Sequence, residues 1–543
     1  MVSLSPYTNV LGRRLAAHLL RRTTYHYTLK QVKAFERMPP AEALKHLLIP
    51  VQLTMPEPWS LDTNQPLISD GGGKDSLVTQ QELVMAWWTG EAQKDATITH
   101  RMISFLHTAF TARIDGARSP KVRYDHLSLL RYYALGNFKT LAKKMTTDVC
   151  MLFFLDNCAN TKDQPNENWA REFLELFTIG KGEQLGITNY THYTEHDIRQ
   201  AARVFTGFYN GTINSLTRGQ FLDPETGIYR GGAYINKHDM GDKTFSHAFQ
   251  NTKIKGAQTS ADMWRELDDF INMVFAQPAT AKFLSRRLYR FFVRDTITAE
   301  IETDIITPLA NTLLANDYEL KPALEKLLSS KHFYDADDGN PNNETIGALV
   351  KSPMELMLQA VSVFEPNTPN IKNNNEIYYQ TYWHAMQKFF IPASMPRFLP
   401  ESVAGFPAYH QQPGYSQLWF NSSTLIARYQ LPELLLTHER FSKKFTRGGI
   451  KIDIVGFVRY SGHFPHPEIA DSLVQTCIDY FLPEAVPEKR FQYFREALLN
   501  GLSDTNWKFE WNNYLQSGDA SAVYSALHNF IITLMASPEY QLF

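Results

Sequence analysis

Two glutamates three positions apart, Glu172 and Glu175, are the residue pair in this sequence best suited to chemistry. On a helix, residues at i and i+3 lie on the same side. Two close carboxyl groups can hold a divalent cation, or can split their pKa values so that one acts as acid and the other as base. The same stretch also fits a solvated ladder in which Arg171 neutralises Glu167 and Glu175. Both interpretations stay open at this point, and in the first Arg171 is also a catalytic candidate.

The helix that must carry this pair has clear ends. Pro165 cannot continue a preceding helix, Asn166 is a favourable N-cap, and Gly180 is a natural stop. The pattern predicts a helix from Glu167 to Ile179. Asn168 lies beside the carboxylates and is a candidate substrate-binding residue.

A second polar group follows in the run KHDMGDKTF, which contains His238, Asp239 and Lys243. A neutral imidazole suits metal binding or proton transfer, so we expect His238 to be catalytic. Asp239 and Lys243 are candidate substrate-binding residues, and Lys243 could bind an anionic group. Because a site needs groups from different elements, we predict that Glu172, Glu175 and His238 approach one another.

His107 is a further catalytic candidate, within the apolar helical run ISFLHTAF. The alternative for a lone histidine on an apolar helix is a hydrogen-bonded core residue. We predict that the functional site gathers His107 and Arg171 with the two glutamates and His238 around a divalent metal ion or a polar substrate.

The predicted helix from Glu167 to Ile179 is called the signature helix below. The loop before it has a partial calcium-loop spacing. With Asp156 as position 1 of a twelve-residue loop, Asn160 falls at position 5 and Glu167 at position 12. Cys158 and Thr161 occupy positions where such loops require an oxygen ligand and a glycine. The alternatives are an irregular calcium site and a loop held by Asx-turn hydrogen bonds.

Composition excludes several classes of protein. The 54 Lys and Arg balance 56 Asp and Glu without a long basic run, so we expect no nucleic-acid partner. No apolar stretch of about 18 residues occurs, which predicts no transmembrane segment, and the N-terminal apolar patch is interrupted by arginines, which predicts no signal peptide. The three cysteines lack a CxxC spacing, so neither a disulfide framework nor a thiolate zinc site is indicated.

The periodicity predicts a mostly α-helical body with a small β-hairpin insertion. We divide the chain into an N-terminal helical part with the signature helix (1–207), a β-rich insertion (208–256), a helical part with an irregular Pro-rich segment (257–430) and C-terminal helices (431–543). The four parts are expected to form one compact body. The irregular segment from Phe390 to Trp419 is long enough to be functional or to wrap another part.

The runs PNENWAREFLELFTIG (165–180) and YTEHDIRQAARVFTGF (193–208) resemble the signature of the bacterial domain of unknown function 1800 family. Seven further runs agree in order, so that the resemblance spans about 16–428: AAHLLRRTTY, ALGNFKTLAKKM, KHDMGDKTF, SRRLYRFFV, KSPMEL, SVAGFPAY and WFNSSTLIAR. Within it, His107 matches the first His of the family's FWHNHF pattern, and His238 with Asp239 matches its HDTGPKTF pattern. The resemblance implies a family without implying a reaction.

The resemblance also implies a partner, because members are often encoded beside a sulfatase-like or phosphatase-like protein with a twin-arginine export signal. Two hypotheses follow. The first is an enzyme with a carboxylate and histidine site, with or without a divalent metal, acting on a polar substrate. The second is a non-catalytic binding or assembly partner of the secreted sulfatase-like protein, with contacts through Phe406, Tyr409, Tyr415 and Trp419. Location stays open between the cytoplasm and co-export to the periplasm.

Overall fold

The computed structural model of the protein describes residues 2–51, 56–68, 77–113, 119–186, 189–209, 222–396, 399–400, 402–436 and 452–543. Helices dominate these ranges, and strands are confined to two small sheets. The prediction of a mostly helical protein with a small β insertion is therefore confirmed. In chain order the helices are α1 (Gly12–Thr23), α2 (Leu29–Phe35), α3 (Pro40–Leu47), α4 (Leu77–Lys94), α5 (Thr99–Ala109), α6 (Pro120–Tyr132), α7 (Phe138–Met145), α8 (Val149–Phe154), α9 (Glu167–Glu172), α10 (Glu195–Val204), α11 (Ser260–Phe275), α12 (Pro278–Phe292), α13 (Ala299–Ile301), α14 (Thr307–Ala315), α15 (Leu320–Leu328), α16 (Pro353–Val363), α17 (Asn375–Ala385), α18 (Pro407–His410), α19 (Ser422–Leu436), α20 (Ile454–Tyr460), α21 (Ala470–Phe481), α22 (Glu488–Leu499), α23 (Asp504–Ser517) and α24 (Ser521–Met535).

Local sequence signals explain where several helices begin. Thr194 and Asp197 form a capping box at the start of α10, as their spacing predicts, and Thr259 with Asp262 does the same for α11. Within the described ranges, no helix combines the length and apolar character needed to cross a bilayer.

The two sheets lie in the predicted insertion, and each is an antiparallel pair of two-residue strands. Strand β1 (Phe208–Tyr209) pairs with β2 (Gly232–Ala233), with Phe208 opposite Ala233. Strand β3 (Lys243–Thr244) pairs with β4 (Lys253–Ile254), with Lys243 opposite Ile254. Residues 210–221 of the predicted insertion lie outside the described residues.

The signature helix changes its winding halfway along. Helix α9 runs directly into a π-helical segment, Phe173–Thr178, and Gly180 ends the element with φ +73° as its type predicts. Thr178 Oγ1 donates to the carbonyl of Phe173 at 2.6 Å, which holds the wider turn. Such π-turns often occur at functional sites because they re-aim side chains.

An aromatic cluster holds the signature helix in the core. Trp169 and Phe173 are buried and contact Phe205, with ring centroids 6.1 and 5.4 Å apart, and Phe173 also contacts Phe270 on α11 at 5.7 Å. The apolar face of the helix is thus fixed, and its other face is left for polar contacts. Buried side chains from Val2 to Tyr540 contribute to one continuous core cluster. The four-part division of the chain remains a prediction.

The irregular Pro-rich segment wraps the chain's own helices. Phe406, Tyr415 and Trp419 are buried, and Tyr409 lies 5.7 Å from Phe291 of α12 between ring centroids. The expectation that these four aromatics together present an exposed contact surface to a partner is therefore corrected, because three of them are buried against the chain's own residues and Tyr409 is half-buried.

Candidate functional site

A cavity of about 340 Å³ lies where the signature helix, α12 and the irregular segment meet. It is lined by side chains of both charge signs, among them Glu175, Lys181 and Arg287. Its polar and charged lining residues are Thr108, Glu175, Lys181, Arg287, Arg290, Asp295, Tyr409, His410, Gln412 and Tyr415.

Glu175 projects from the π-helical segment into this cavity, and two neighbours hold its carboxylate. Lys181 Nζ lies 2.5 Å from Oε1, and the hydroxyl of Tyr193 donates to Oε2 at 3.2 Å. Burial, with Glu175 as the next cause, raises the pKa of Tyr193 well above its ordinary value. Tyr193 therefore remains a donor to Glu175 throughout the neutral range.

Glu172 lies one turn before Glu175 and has a different environment. Burial raises the pKa of Glu172 to about 7, and the nearby charge of Glu175 adds to this, while Arg171 and Lys181 oppose it. At neutral pH the Glu172 carboxyl group is therefore protonated in a large fraction of the molecules, while Glu175 is ion-paired with Lys181. A carboxyl group with a raised pKa beside a carboxylate held by a lysine is an arrangement used for acid and base pairs.

The charge ladder predicted as the alternative forms only in part. Arg171 pairs with Glu167 at 3.3 Å and closely with Glu195 of α10, and not with Glu175. Arg171 is therefore a structural clamp between two helices in this structure. Asn168 is exposed, and its backbone N–H donates to the N-cap Asn166 at 2.9 Å.

Two arginines of α12 line the opposite wall of the cavity. Arg287 donates to the backbone carbonyls of Leu176, at 2.8 Å, and of Thr108. Arg290 donates to the carbonyl of Asp295 at 3.3 Å, and its guanidinium lies 4.8 Å from the ring centre of Tyr415. Neither guanidinium forms an ion pair with a carboxylate of the described residues. Burial lowers the pKa of Arg287 to about 10, so it remains charged at neutral pH.

Asp295, just after α12, and residues of the irregular segment supply the remaining polar groups. Asp295 accepts from the backbone N–H of Ser416 at 3.1 Å and from its hydroxyl at 2.5 Å, and burial raises the pKa of Asp295 to about 6. His410 is exposed at the rim, and partial burial together with the charge of Arg287 lowers its pKa. His410 therefore presents a neutral imidazole beside the arginines at neutral pH.

His238, Lys243 and Glu266 form a separate, fully buried ionic group. His238 Nε2 lies 3.2 Å from Glu266 Oε2, Lys243 Nζ lies 2.6 Å from Glu266 Oε1, and the backbone N–H of Ala257 donates to Oε2 at 2.7 Å. All three side chains have no solvent exposure. Thr206 engages the other ring nitrogen of His238, with its carbonyl at 2.8 Å. These contacts connect the β insertion to α11 and leave His238 and Lys243 enclosed.

Asp239 forms a bidentate pair with Arg203, at 2.7 and 3.0 Å, and also accepts from the backbone N–H of Gly241. The local contacts among His238, Asp239 and Lys243 thus stabilise a turn. Lys243 is fully buried and Asp239 is paired with Arg203, so both predicted substrate-binding side chains are already engaged within the protein.

The predicted approach of His238 to the glutamates is not observed. Glu175 contacts Tyr193, just before α10 begins, whereas His238 contacts Thr206, just after α10 ends. A ten-residue helix separates these points by roughly 15 Å. His238 is held at a distance by tertiary packing, because the β insertion packs on α11, away from Glu172 and Glu175.

Two of the three predicted oxygen donors of the partial calcium loop are engaged in other contacts. Asp156 is exposed, and Glu167 pairs with Arg171. Asn160 is buried, accepts from the backbone N–H of Asn166 at 2.9 Å and donates to the carbonyl of Ala202 at 3.0 Å. These contacts fit the alternative interpretation, a loop held by side-chain hydrogen bonds, and Asn160 is the residue at its centre.

His107 is buried, and its Nε2 lies 3.1 Å from the carbonyl of Ala112. Its ring is perpendicular to that of His126, with centroids 6.0 Å apart. These contacts fit the core alternative, although the next residue, Thr108, lines the cavity.

Sequence reasoning missed Arg287, Arg290, Asp295 and His410 as site residues. A signal for them was present, since both arginines lie in the run SRRLYRFFV and His410 lies in the irregular Pro-rich segment. What the sequence did not supply was the pairing of α12 and this segment with the signature helix.

Comparison with known proteins agrees with the signature runs. A family model described as "Protein of unknown function (DUF1800)" matches residues 18–542. No curated protein matches the chain, and no solved structure matches it. The match extends over nearly the whole sequence, including every residue that lines the cavity. The chain therefore belongs to the DUF1800 family.

Proposed function

We propose that the protein is an enzyme that binds a small anionic molecule in the Glu175 cavity and acts on it by general acid and base catalysis. The observation that carries the proposal is the presence of two arginines in the cavity wall, Arg287 and Arg290, without carboxylate partners among the described residues. Such guanidinium groups favour the binding of carboxylate, phosphate or sulfate groups.

The proposed roles follow from the contacts. Arg287 and Arg290 bind the anionic group. Glu175, which lines the cavity and is held by Lys181 and Tyr193, exchanges a proton with the substrate. Glu172 acts through Glu175 as a positioning residue, because its own loss of a proton near pH 7 places a second negative charge beside the first.

The His238 group is not part of this proposal. The carboxylate and histidine site predicted from the sequence is reassigned to Glu175 and His410, because His410 lies at the rim and His238 is enclosed. A neutral His410 would act as a general base and accept a proton from an attacking water molecule.

The test is a panel of chromogenic phosphate, sulfate and carboxylate esters. We expect hydrolysis of at least one class, with kcat reduced 100-fold or more in Glu175→Gln, in line with the usual contribution of a general acid or base. Glu183→Gln, at an exposed position nearby, is the matched control and should keep wild-type activity. Activity that is equal in wild type and Glu175→Gln would refute the assignment.

A second candidate, a binding partner of a sulfatase-like or phosphatase-like protein, is favoured by one observation. The C-terminal helices expose large apolar side chains, with Tyr460 71%, Phe509 65% and Tyr493 52% accessible. Exposed apolar residues of this size are typical of contact surfaces. If this surface binds the partner, Phe509→Ser should weaken co-purification of the two proteins, whereas Leu185→Ser, an exposed apolar residue elsewhere, should not.

A further inference from the structure

Three residues outside the lining of the Glu175 cavity form a buried cluster with metal-ligand chemistry. His126 lies on α6, and Asp148 and Cys150 lie at the start of α8. One ligand atom from each lies within 4.8 Å of the others. It is the one His, Cys, Asp or Glu cluster of this kind in the parts of the chain that the structure describes.

All three side chains are nearly or fully buried, with His126 0%, Asp148 2% and Cys150 2% accessible. His126 Nδ1 and the backbone N–H of Met151 both contact Asp148 Oδ1, at 2.9 Å each. The N-cap contact to Met151 fixes the Asp148 carboxylate in place. The buried Nε2 of His126 has no hydrogen-bond partner among the described residues. Nδ1 faces Asp148, so Nε2 lies on the other side of the ring: an ion bound at Nε2 would leave Asp148 to orient the imidazole, and an ion bound at Nδ1 would replace the contact to Asp148.

The ligand types favour one class of cation. An imidazole, a carboxylate and a thiolate together form a nitrogen, oxygen and sulfur set, which suits zinc and its neighbours and not calcium or magnesium. Ligands of a tetrahedral zinc ion, bound at about 2.0–2.3 Å, would be separated by roughly 3.3–3.8 Å. His126 Nδ1 and Asp148 Oδ1, at 2.9 Å, would need to separate by roughly half an ångström, and any separation at the 4.8 Å limit would need to shorten by roughly 1.0–1.5 Å.

We propose that His126, Asp148 and Cys150 bind a divalent transition metal ion of the zinc class. The neighbouring His107 engages the carbonyl of Ala112, and its ring lies 6.0 Å from that of His126 between centroids. The residue after His107 lines the Glu175 cavity, so the metal site lies behind one wall of that cavity. The proposal is independent of the proposed activity, and it differs from the sequence-based expectation, because the cysteine spacing indicated no thiolate site.

The experiment uses the full-length protein, stripped with a chelator and titrated with Co²⁺ alone and then with Zn²⁺ alone. We expect one ion per chain and a thiolate-to-cobalt absorption band that Zn²⁺ abolishes by displacement. Wild-type protein that takes up no stoichiometric Co²⁺, or takes it up without a thiolate band, would overturn the proposal without any variant.

Variants then test the ligands. Cys150→Ser should remove the thiolate band, whereas Cys477→Ser, at another buried cysteine outside the cluster, should retain it. Asp148→Asn should weaken Zn²⁺ binding by tenfold or more, whether the carboxylate binds the ion or orients His126. Circular dichroism of each metal-free variant checks that it folds. A band that persists in Cys150→Ser, or unchanged affinity in Asp148→Asn, would show that the ion binds elsewhere.

Discussion

Replacing Glu172 by Gln should stabilise the protein at alkaline pH and leave its stability nearly unchanged at acidic pH. Burial raises the pKa of Glu172 to about 7 from its ordinary value of 4.5. Below the lower value the carboxyl group is protonated in both folded and unfolded chains and contributes no difference. As the pH rises from 4.5 to 7, the unfolded chain releases the proton first, so the folded state loses relative stability. Above pH 7 the penalty is complete.

The size of this penalty follows from the shift. Each pKa unit corresponds to about 1.36 kcal/mol, which sets an upper limit of roughly 3 kcal/mol. Glu172 is half-buried, so solvent screening reduces the expected gain in Glu172→Gln to about 1–2 kcal/mol at pH 8. The assay is urea unfolding of wild type, Glu172→Gln and the exposed control Glu183→Gln at pH 4 and pH 8. A difference between wild type and Glu172→Gln that does not change with pH would refute the reasoning.

Three further predictions concern stability, each measured by urea unfolding against wild type. Glu266→Ala should cost about 3–5 kcal/mol, because it leaves Lys243 and His238 buried without their anionic partner; a cost no larger than that of Asp269→Ala on the exposed face of α11 would contradict this. Asn160→Ala should cost about 2 kcal/mol through its lost buried hydrogen bonds, and a neutral effect would show that they do not stabilise the loop. Gly207→Ala should also destabilise, because φ is +76° and an added Cβ would lie 2.8 Å from the carbonyl of Tyr234; Gly186→Ala, where no atom lies within 4 Å of the added Cβ, is its control.

The fold class and the helix ends could be predicted because local chemistry determines them. Asn166 as N-cap and Gly180 as stop bound the signature helix close to the predicted positions. The π-turn could not be predicted, since it depends on Thr178 bonding to Phe173 within a packed aromatic cluster. This turn directs Glu175 toward Lys181 and away from Arg171.

The candidate site could be predicted only in part. The signature carboxylates were identified from spacing, and Glu175 does line the cavity. Their partners could not be identified, because Arg287 and His410 are more than a hundred residues away in sequence. His238 was predicted to be catalytic because it is a histidine in a glycine-containing turn. Its contacts with the buried Glu266 and Lys243 form only in the folded chain, so the sequence did not show that it is enclosed.

The cluster of His126, Asp148 and Cys150 could not be predicted from the sequence either. Asp148 and Cys150 are neighbours in sequence, but His126 lies on another helix, so no short motif connects the three. The cysteine spacing alone therefore predicted no thiolate metal site.

Calorimetric titration with inorganic phosphate and sulfate at low ionic strength tests the central claim most directly. We expect one saturable anion site per chain, with affinity reduced tenfold or more in Arg287→Gln, because a charge-assisted hydrogen bond contributes about 1.5–3 kcal/mol. Arg290→Gln should give a similar loss, and Arg265→Gln, at an exposed arginine paired with Asp269, should bind as wild type does. Absence of saturable binding of either anion, or equal affinity in wild type and both cavity variants, would contradict an anion-binding active site.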